Sequence, residues 1–156
     1  GTALVVGCGR GEDAKFLAEL GWNITAFDIA PTAVKWASER YPHDNIRWVV
    51  GDLLQPNEEW FKAFDLVLEV HILQAIPEEF RIPASRNLSP LVSPSGQLVC
   101  IGRLSVDDSI EQNGPPWPLS KEFISSIGNK LKSIDFTPAQ FEGEESVRYR
   151  AVWINE

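Results

Sequence analysis

Apolar runs and helical stripes alternate along this chain. Thr2 to Val6 is a short continuous apolar run that breaks into glycines, as expected of a strand buried on both faces. Glu12 to Leu20 carries Ala14, Phe16, Leu17, Ala18 and Leu20, and Gly21 stops it as a helix C-cap. Asn23 to Ile29 reads as a second strand. Pro31 to Tyr41 predicts a helix, with Pro31 suited to a first turn and Pro42 ending the element. Ile46 to Val50 is a third strand, terminated by Gly51 and Asp52. Glu58 to Ala63 predicts a short helix, and Phe64 to Val70 a fourth strand. Glu78 to Val92 reads as largely helical, broken near Pro83 and Pro90. The turn Ser93-Pro94-Ser95-Gly96 leads into a fifth strand, Gln97 to Gly102.

After Gly102 the rhythm changes. Residues 105–118 hold Asn113, Gly114, Pro115, Pro116 and Pro118 and read as a loop. Ser120 to Leu131 predicts a helix, with Ser120 as N-cap and Phe123, Ile124, Ile127 and Leu131 on one stripe. Ser133 to Phe141 and Val147 to Ile154 read as two last strands, joined by a hairpin loop from Glu142 to Ser146. Strands that alternate with helices of about ten residues imply βαβ units and a parallel sheet covered on both faces. The expected fold is therefore α/β: a Rossmann-like, doubly wound sheet of seven strands, with a parallel core and a C-terminal antiparallel hairpin. No internal repeat or second domain is visible, so residues 1–156 read as one domain. The chain opens inside a strand, so a further N-terminal segment is expected.

Composition narrows the partners. The chain has 156 residues, 44% of them hydrophobic and 23% charged, with a formal net charge of −8. That sign argues against nucleic acid, which is bound mainly through cationic side chains. A small anionic or zwitterionic ligand is not excluded, because it feels only its pocket. No apolar stretch reaches the roughly 18 residues needed to span a bilayer, so no membrane partner is expected. The two cysteines, Cys8 and Cys100, lie in or beside apolar runs. They point to a reduced, cytoplasmic protein rather than a disulfide framework. No histidine and cysteine spacing suggests a metal site.

The candidate chemistry sits at strand ends. In a doubly wound sheet, ligands bind at the carboxyl ends of the strands, where the winding reverses. There Gly7-Cys8-Gly9-Arg10-Gly11 supplies a sharp turn with bare backbone amides, and the next helix aims its N-terminus at the same place. Asp28 ends the second strand at the spacing of an acidic residue that accepts from ribose hydroxyls. Asp52 and Leu53 follow the third strand; the carboxylate suits an exocyclic amine and the leucine an adenine face. Glu69 lies at the end of the fourth strand. Each has a plainer reading: a tight connection for the glycines, a helix cap for Asp28, a turn residue for Asp52, a solvated strand end for Glu69. A dinucleotide site is the natural competitor. However, Glu12 stands where that fingerprint wants a third small residue, and it would face a pyrophosphate. A methyl donor without phosphate and with a sulfonium tolerates acid there.

The segment "ALVVGCGRGEDAKFLAELGWNITAFDIAPTAVKWA" resembles motif I and the acidic loop of class I S-adenosylmethionine-dependent methyltransferases. More narrowly, it is similar to the thiopurine, thiol and halide methyltransferases and their tellurite-resistance relatives. "FDLVLEVHILQAIPEEFR", "LVSPSGQLVCIGR" and "GPPWPLS" extend that resemblance. It implies a methyl transfer from S-adenosyl-L-methionine to a small-molecule acceptor such as a thiol or halide. It implies that Gly7, Cys8 and Gly9 line the methionine part of the donor and that Asp28 holds the ribose. Ile29, Asp52 and Leu53 would contact the adenine. Glu69 would lie near the methionine end, with Val70 and His71 beginning the wall of the acceptor pocket. Val6 and Glu12 depart from the proline and tyrosine common in that group, and the tyrosine loss bears on acceptor preference.

His71 is the candidate base for a hydroxyl or amine acceptor, with a local hydrogen-bonding role as the plainer reading. Cys8 reads as a packing residue rather than a nucleophile. Trp117 has two readings, a cover for a planar acceptor or an anchor on the core. Arg10 and Arg103 are placed to meet an anionic acceptor, or simply solvated. Two further functions stay open: a donor-binding module without turnover, and a dinucleotide-binding domain.

Overall fold

The computed structural model describes residues 1–106 and 115–156. Among these residues seven strands form one sheet: β1 (Thr2–Val6), β2 (Asn23–Asp28), β3 (Ile46–Val50), β4 (Phe64–Val70), β5 (Val92–Leu104), β6 (Lys132–Ala139) and β7 (Val147–Ile154). Their order is β3-β2-β1-β4-β5-β7-β6. The five strands from β3 to β5 run parallel, and β7 pairs antiparallel with both β5 and β6. The winding reverses at β1, which lies between β2 and β4. A parallel α/β sheet opens its ligand crevice outside the strand carboxyl ends at that point.

Helices α1 (Glu12–Glu19) and α2 (Pro31–Arg40) cover one face. Ala14, Leu17 and Ala18 of α1 and Val34 of α2 pack there on Ala3, Val5, Ile24 and Ala26. The opposite face carries Leu4, Val6, Phe27, Val67 and Leu98. It is covered by α3 (Glu78–Arg86) through Ala84 and by α4 (Lys121–Ile127) through Ile124 and Ile127. Small residues on the first face let α1 and α2 approach closely. The larger second core takes Trp60, whose ring centroid lies 5.0 Å from that of Phe27. Among the described residues no helix is long and apolar enough to cross a membrane.

Several boundaries differ from the sequence pattern, for tertiary reasons. The expected helix from Glu58 to Ala63 is a single 3-10 turn, Glu58–Trp60. The region from Glu78 to Val92 splits into α3 and a 3-10 turn, Ser89–Leu91, and Pro83 lies inside α3. The expected turn at Ser93–Gly96 is a bulge within β5. There the register jumps from Phe64↔Val92 to Leu66↔Gln97. Long-range bonds hold that bulge: Ser93 Oγ donates to Asp65 (2.8 Å) and the Ser95 amide to the Asn155 carbonyl (2.6 Å). Helix α4 starts at the expected cap, where Ser120 Oγ accepts from the Phe123 amide. It ends at Ile127 rather than Leu131, with Asn129 in the left-handed region. Of the loop expected over 105–118, residues 107–114, including Asn113 and Gly114, lie outside the described residues.

Candidate functional site

The turn after β1 is built by backbone bonds. The Cys8 amide donates to the Phe27 carbonyl (2.7 Å) and the Gly11 amide to the Cys8 carbonyl (2.8 Å). Gly7 and Gly9 both adopt the left-handed region, with φ of 65° and 50°. A side chain at Gly7 would also overlap Ile72, whereas a side chain at Gly9 would meet open space. Gly9 thus answers only to conformation, and Gly7 to conformation and close approach. Beyond the turn, α1 begins with Glu12 and Asp13 in its first turn, where negative charge suits the helix dipole.

Asp28 binds the turn from the end of β2. Its Oδ2 accepts from the Gly9 amide and its Oδ1 from the Ala30 amide, each at 3.0 Å. Each oxygen retains further acceptor capacity. The plain helix-cap reading of Asp28 does not hold, because Ala30 is the N-cap of α2 and no side chain caps it.

A cavity of about 340 Å³ opens at the carboxyl ends of β1, β2 and β3. Val6 and Gly7 line it from β1, Phe27, Asp28 and Ile29 from β2, and Gly51 to Leu54 from the end of β3. Ile72, Ala75 and Ile76 close it from the 3-10 turn Leu73–Ala75, with Phe80 and Ala84 from α3. Its size falls in the range of small-molecule sites, roughly 300–1,000 Å³. Leu53 is buried, and Ile29 is 68% exposed at the rim. Asp52 turns the chain by accepting the Leu54 amide at Oδ1 (2.9 Å) and the Gln55 amide at its carbonyl (3.0 Å). Asn87 of the α3 end donates to the Leu53 carbonyl (2.9 Å).

Five of the candidate residues therefore meet in one cavity: Gly7, Asp28, Ile29, Asp52 and Leu53. Gly9 joins through its bond to Asp28, and Cys8 lies beneath the turn, buried. Burial and the Asp28 charge push the Cys8 thiol up to about 11, which leaves little thiolate at neutral pH. Val70 and His71 lie half-buried at the end of β4, outside the cavity lining. His71 has φ 61° and donates its amide to the Ile101 carbonyl (2.8 Å). Its Nδ1 is buried and has no hydrogen-bond partner among the described residues. Partial burial and then Glu12 raise the Asp13 carboxyl above its ordinary range, while nearby His71 pulls it down. His71 is thus close enough to the acidic start of α1 to act on Asp13 electrostatically.

Glu69 is not a solvated strand end and does not line the cavity. It is 1% exposed, turned into the core on the face of Val6 and Val67. Its Oε2 accepts from the amides of Ile72 (2.8 Å) and Leu73 (3.2 Å). Burial pushes its carboxyl up to about 7, against the pull of those two amides and of Cys100.

The closing wall from Ile72 to Ala84 is absent from the sequence reading, and so is Arg81. Arg81 donates from Nε to the Leu73 carbonyl (3.1 Å) and from Nη2 to the Ile76 carbonyl (3.0 Å). The apolar positions Ile72, Ile76 and Phe80 were the available signal. Trp117 is half-buried, its amide bonded to the Gln74 carbonyl (2.8 Å). Among the described residues, no group of three or more His, Cys, Asp or Glu could hold a metal ion.

Comparison with known proteins places this geometry in a family. A family model described as "Methyltransferase domain" matches residues 4–100. Thiocyanate methyltransferase 1 of Brassica oleracea is 28% identical over 148 residues, which is 88% of this chain and 62% of that protein. An uncharacterized methyltransferase of Mycobacterium tuberculosis is 33% identical over 132 residues, 83% of this chain and 62% of its own. The chain thus spans 62% of the length of these two curated relatives. In fold it is similar to the N-methyltransferase NodS of Bradyrhizobium japonicum in complex with S-adenosyl-L-homocysteine. The TM-score is 0.78 at 21% identity, covering 99% of this chain and 78% of that one. A TehB-like methyltransferase of Corynebacterium glutamicum gives 0.75 at 20% identity, covering 99% and 80%. The chain belongs to the methyltransferase-domain family, the class I S-adenosylmethionine-dependent methyltransferases.

Proposed function

We propose that this chain binds S-adenosyl-L-methionine in the cavity at the ends of β1 to β3 and transfers its methyl group to a small nucleophile of the thiol, halide or thiocyanate type. The observation that carries this reading is the convergence of Gly7, Asp28, Ile29, Asp52 and Leu53 on one cavity beside a bare glycine turn. Asp28 receives the ribose hydroxyls on its remaining lone pairs. Ile29 and Leu53 enclose the adenine, and Asp52 accepts from its amine. The amides around Gly7, Cys8 and Gly9 lie toward the methionine part. Val70 and His71 begin the acceptor wall. The acidic pair Glu12 and Asp13 at the start of α1 repels a pyrophosphate, which favours this donor over a dinucleotide.

The bound sulfonium supplies an activated methyl group, so the protein's work is orientation and exclusion of water. The acceptor lone pair forms the new bond to the methyl carbon, and the electrons of the broken C–S bond return to sulfur. A thiolate or halide needs no base for this step. A hydroxyl or amine must lose a proton, and His71, whose Nδ1 has no hydrogen-bond partner among the described residues, is the candidate base. The thiocyanate methyltransferase relative supports a soft anionic acceptor. A reduced cytoplasmic setting fits the two buried, unpaired cysteines.

The test is methyl transfer from labelled donor across a panel of thiolates, iodide, thiocyanate, phenols and amines. Transfer to the sulfur and halide acceptors is expected. Binding of S-adenosylhomocysteine without transfer to any acceptor would favour a donor-binding module instead.

A further inference from the structure

The short turn Leu73–Ala75 has little to hold it from within. Its internal bonds are Ala75 amide to Ile72 carbonyl (3.0 Å) and Ile76 amide to Leu73 carbonyl (3.2 Å). Its position is fixed from outside, at both ends and in the middle. At the front, Glu69 Oε2 takes the Ile72 and Leu73 amides. At the back, the Arg81 guanidinium takes the Leu73 and Ile76 carbonyls. In the middle, buried Gln74 accepts the Arg103 amide of β5 at its side-chain oxygen (2.7 Å) and the Trp117 amide at its carbonyl. The Arg81 guanidinium also lies 5.6 Å from the centroid of the Trp117 ring.

This turn faces two ways. Ile72, Ala75 and Ile76 form one wall of the cavity, and Ile72 presses on Gly7 so closely that no side chain fits between. On its other side the turn anchors the Trp117 segment. A carboxylate buried in a sheet core is costly unless hydrogen bonds compensate it, and Glu69 spends one oxygen on the two amides that begin the turn. No other candidate role uses that oxygen.

We infer that Glu69 and Arg81 are positioning residues which clamp the Leu73–Ala75 turn, so that one device sets both the donor-cavity wall and the seat of the Trp117 segment. The assignment to donor binding rests on the function proposed above. The clamp itself does not.

The experiment combines hydrogen exchange with calorimetric titration of S-adenosylhomocysteine into the whole chain. Glu69→Leu removes the carboxylate, Glu69→Gln keeps an acceptor oxygen, and Arg81→Ala removes the rear grip. Val67→Ala, from the same strand and face, controls for lost core packing. Glu69→Leu and Arg81→Ala should each speed amide exchange about tenfold over 72–76 and at Trp117. They should weaken S-adenosylhomocysteine binding by roughly tenfold. Glu69→Gln should stay near wild type in both readouts, and Val67→Ala should lower overall stability without either local change. If Glu69→Leu does not fold, half-exposed Arg81 still supplies the test. Exchange over 72–76 that matches the Val67→Ala control overturns the clamp. Faster exchange with unchanged affinity overturns its link to the cavity. A wild-type chain that binds no S-adenosylhomocysteine overturns the donor reading, while the exchange measurement still decides the clamp.

Discussion

The Asp28 carboxylate accepts the Gly9 amide across 3.0 Å. Two candidate residues, 19 positions apart in sequence, are therefore one structural unit. The bond pins the glycine turn of β1 to the end of β2 and leaves acceptor capacity toward the cavity. Removing Asp28 frees a backbone donor as well as the proposed ribose contact.

Asp28→Ala should weaken S-adenosylhomocysteine binding by about 1–3 kcal/mol, the cost of leaving buried hydrogen-bonding groups unpaired. Asp28→Asn, which keeps one acceptor oxygen, should fall between the two. Titration calorimetry gives both values, and an unchanged affinity in Asp28→Ala contradicts the ribose assignment.

Gly7→Ala and Gly9→Ala separate close approach from conformation. Both residues hold positive φ, which costs an alanine roughly 1–2 kcal/mol. Gly7→Ala adds overlap with Ile72, an overpacking cost of about 1–3 kcal/mol. Urea unfolding should therefore show the larger loss for Gly7→Ala. Equal losses would show that Ile72 moves aside freely.

Glu69 makes stability fall as pH rises. Folding raises its pKa from 4.5 to about 7. Between those values the folded chain holds a proton that the unfolded chain has released. Its contribution is fully present below the unfolded value and is lost as pH climbs to the folded one, roughly 3 kcal/mol in all. Glu69→Gln has no such dependence. The stability difference between Glu69→Gln and wild type should shift by roughly 2–3 kcal/mol in favour of the variant between about pH 5 and pH 8. Parallel pH curves for the two proteins would contradict the burial of this carboxyl.

Neither cysteine should behave as a nucleophile. Both are buried, burial and Asp28 raise Cys8 to about 11, and burial and Glu69 raise Cys100 well above its ordinary value. Iodoacetamide near neutral pH should label neither thiol in the folded chain and both in urea. Rapid labelling of Cys8 in the folded protein would contradict its role as a packing residue.

What the sequence showed and what it hid follow from the range of the interactions. The positions of the glycine turn, Asp28, Asp52 and Leu53 are legible because each ends or closely follows a strand whose pattern is local. The parallel order follows from the alternation of strands and helices. The orientation of Glu69 is not local. In a strand buried on both faces, alternation does not mark which side a polar residue takes, and the turn that needs its oxygen comes later in the chain. The bulge at Ser93–Gly96 looks like a turn because its partners, Asp65 and Asn155, are distant in sequence. The cavity wall at Ile72 and Ile76 was hidden for the same reason: a three-residue turn has no periodicity, and Arg81 and Glu69 place it from outside.

A crystal structure of the chain soaked with S-adenosylhomocysteine tests the central claim most directly. The account predicts adenine between Ile29 and Leu53, ribose hydroxyls on Asp28, and the homocysteine tail running past Gly7 and Gly9. Density for the nucleoside at any other place, or a cavity unchanged at saturating ligand, would contradict it.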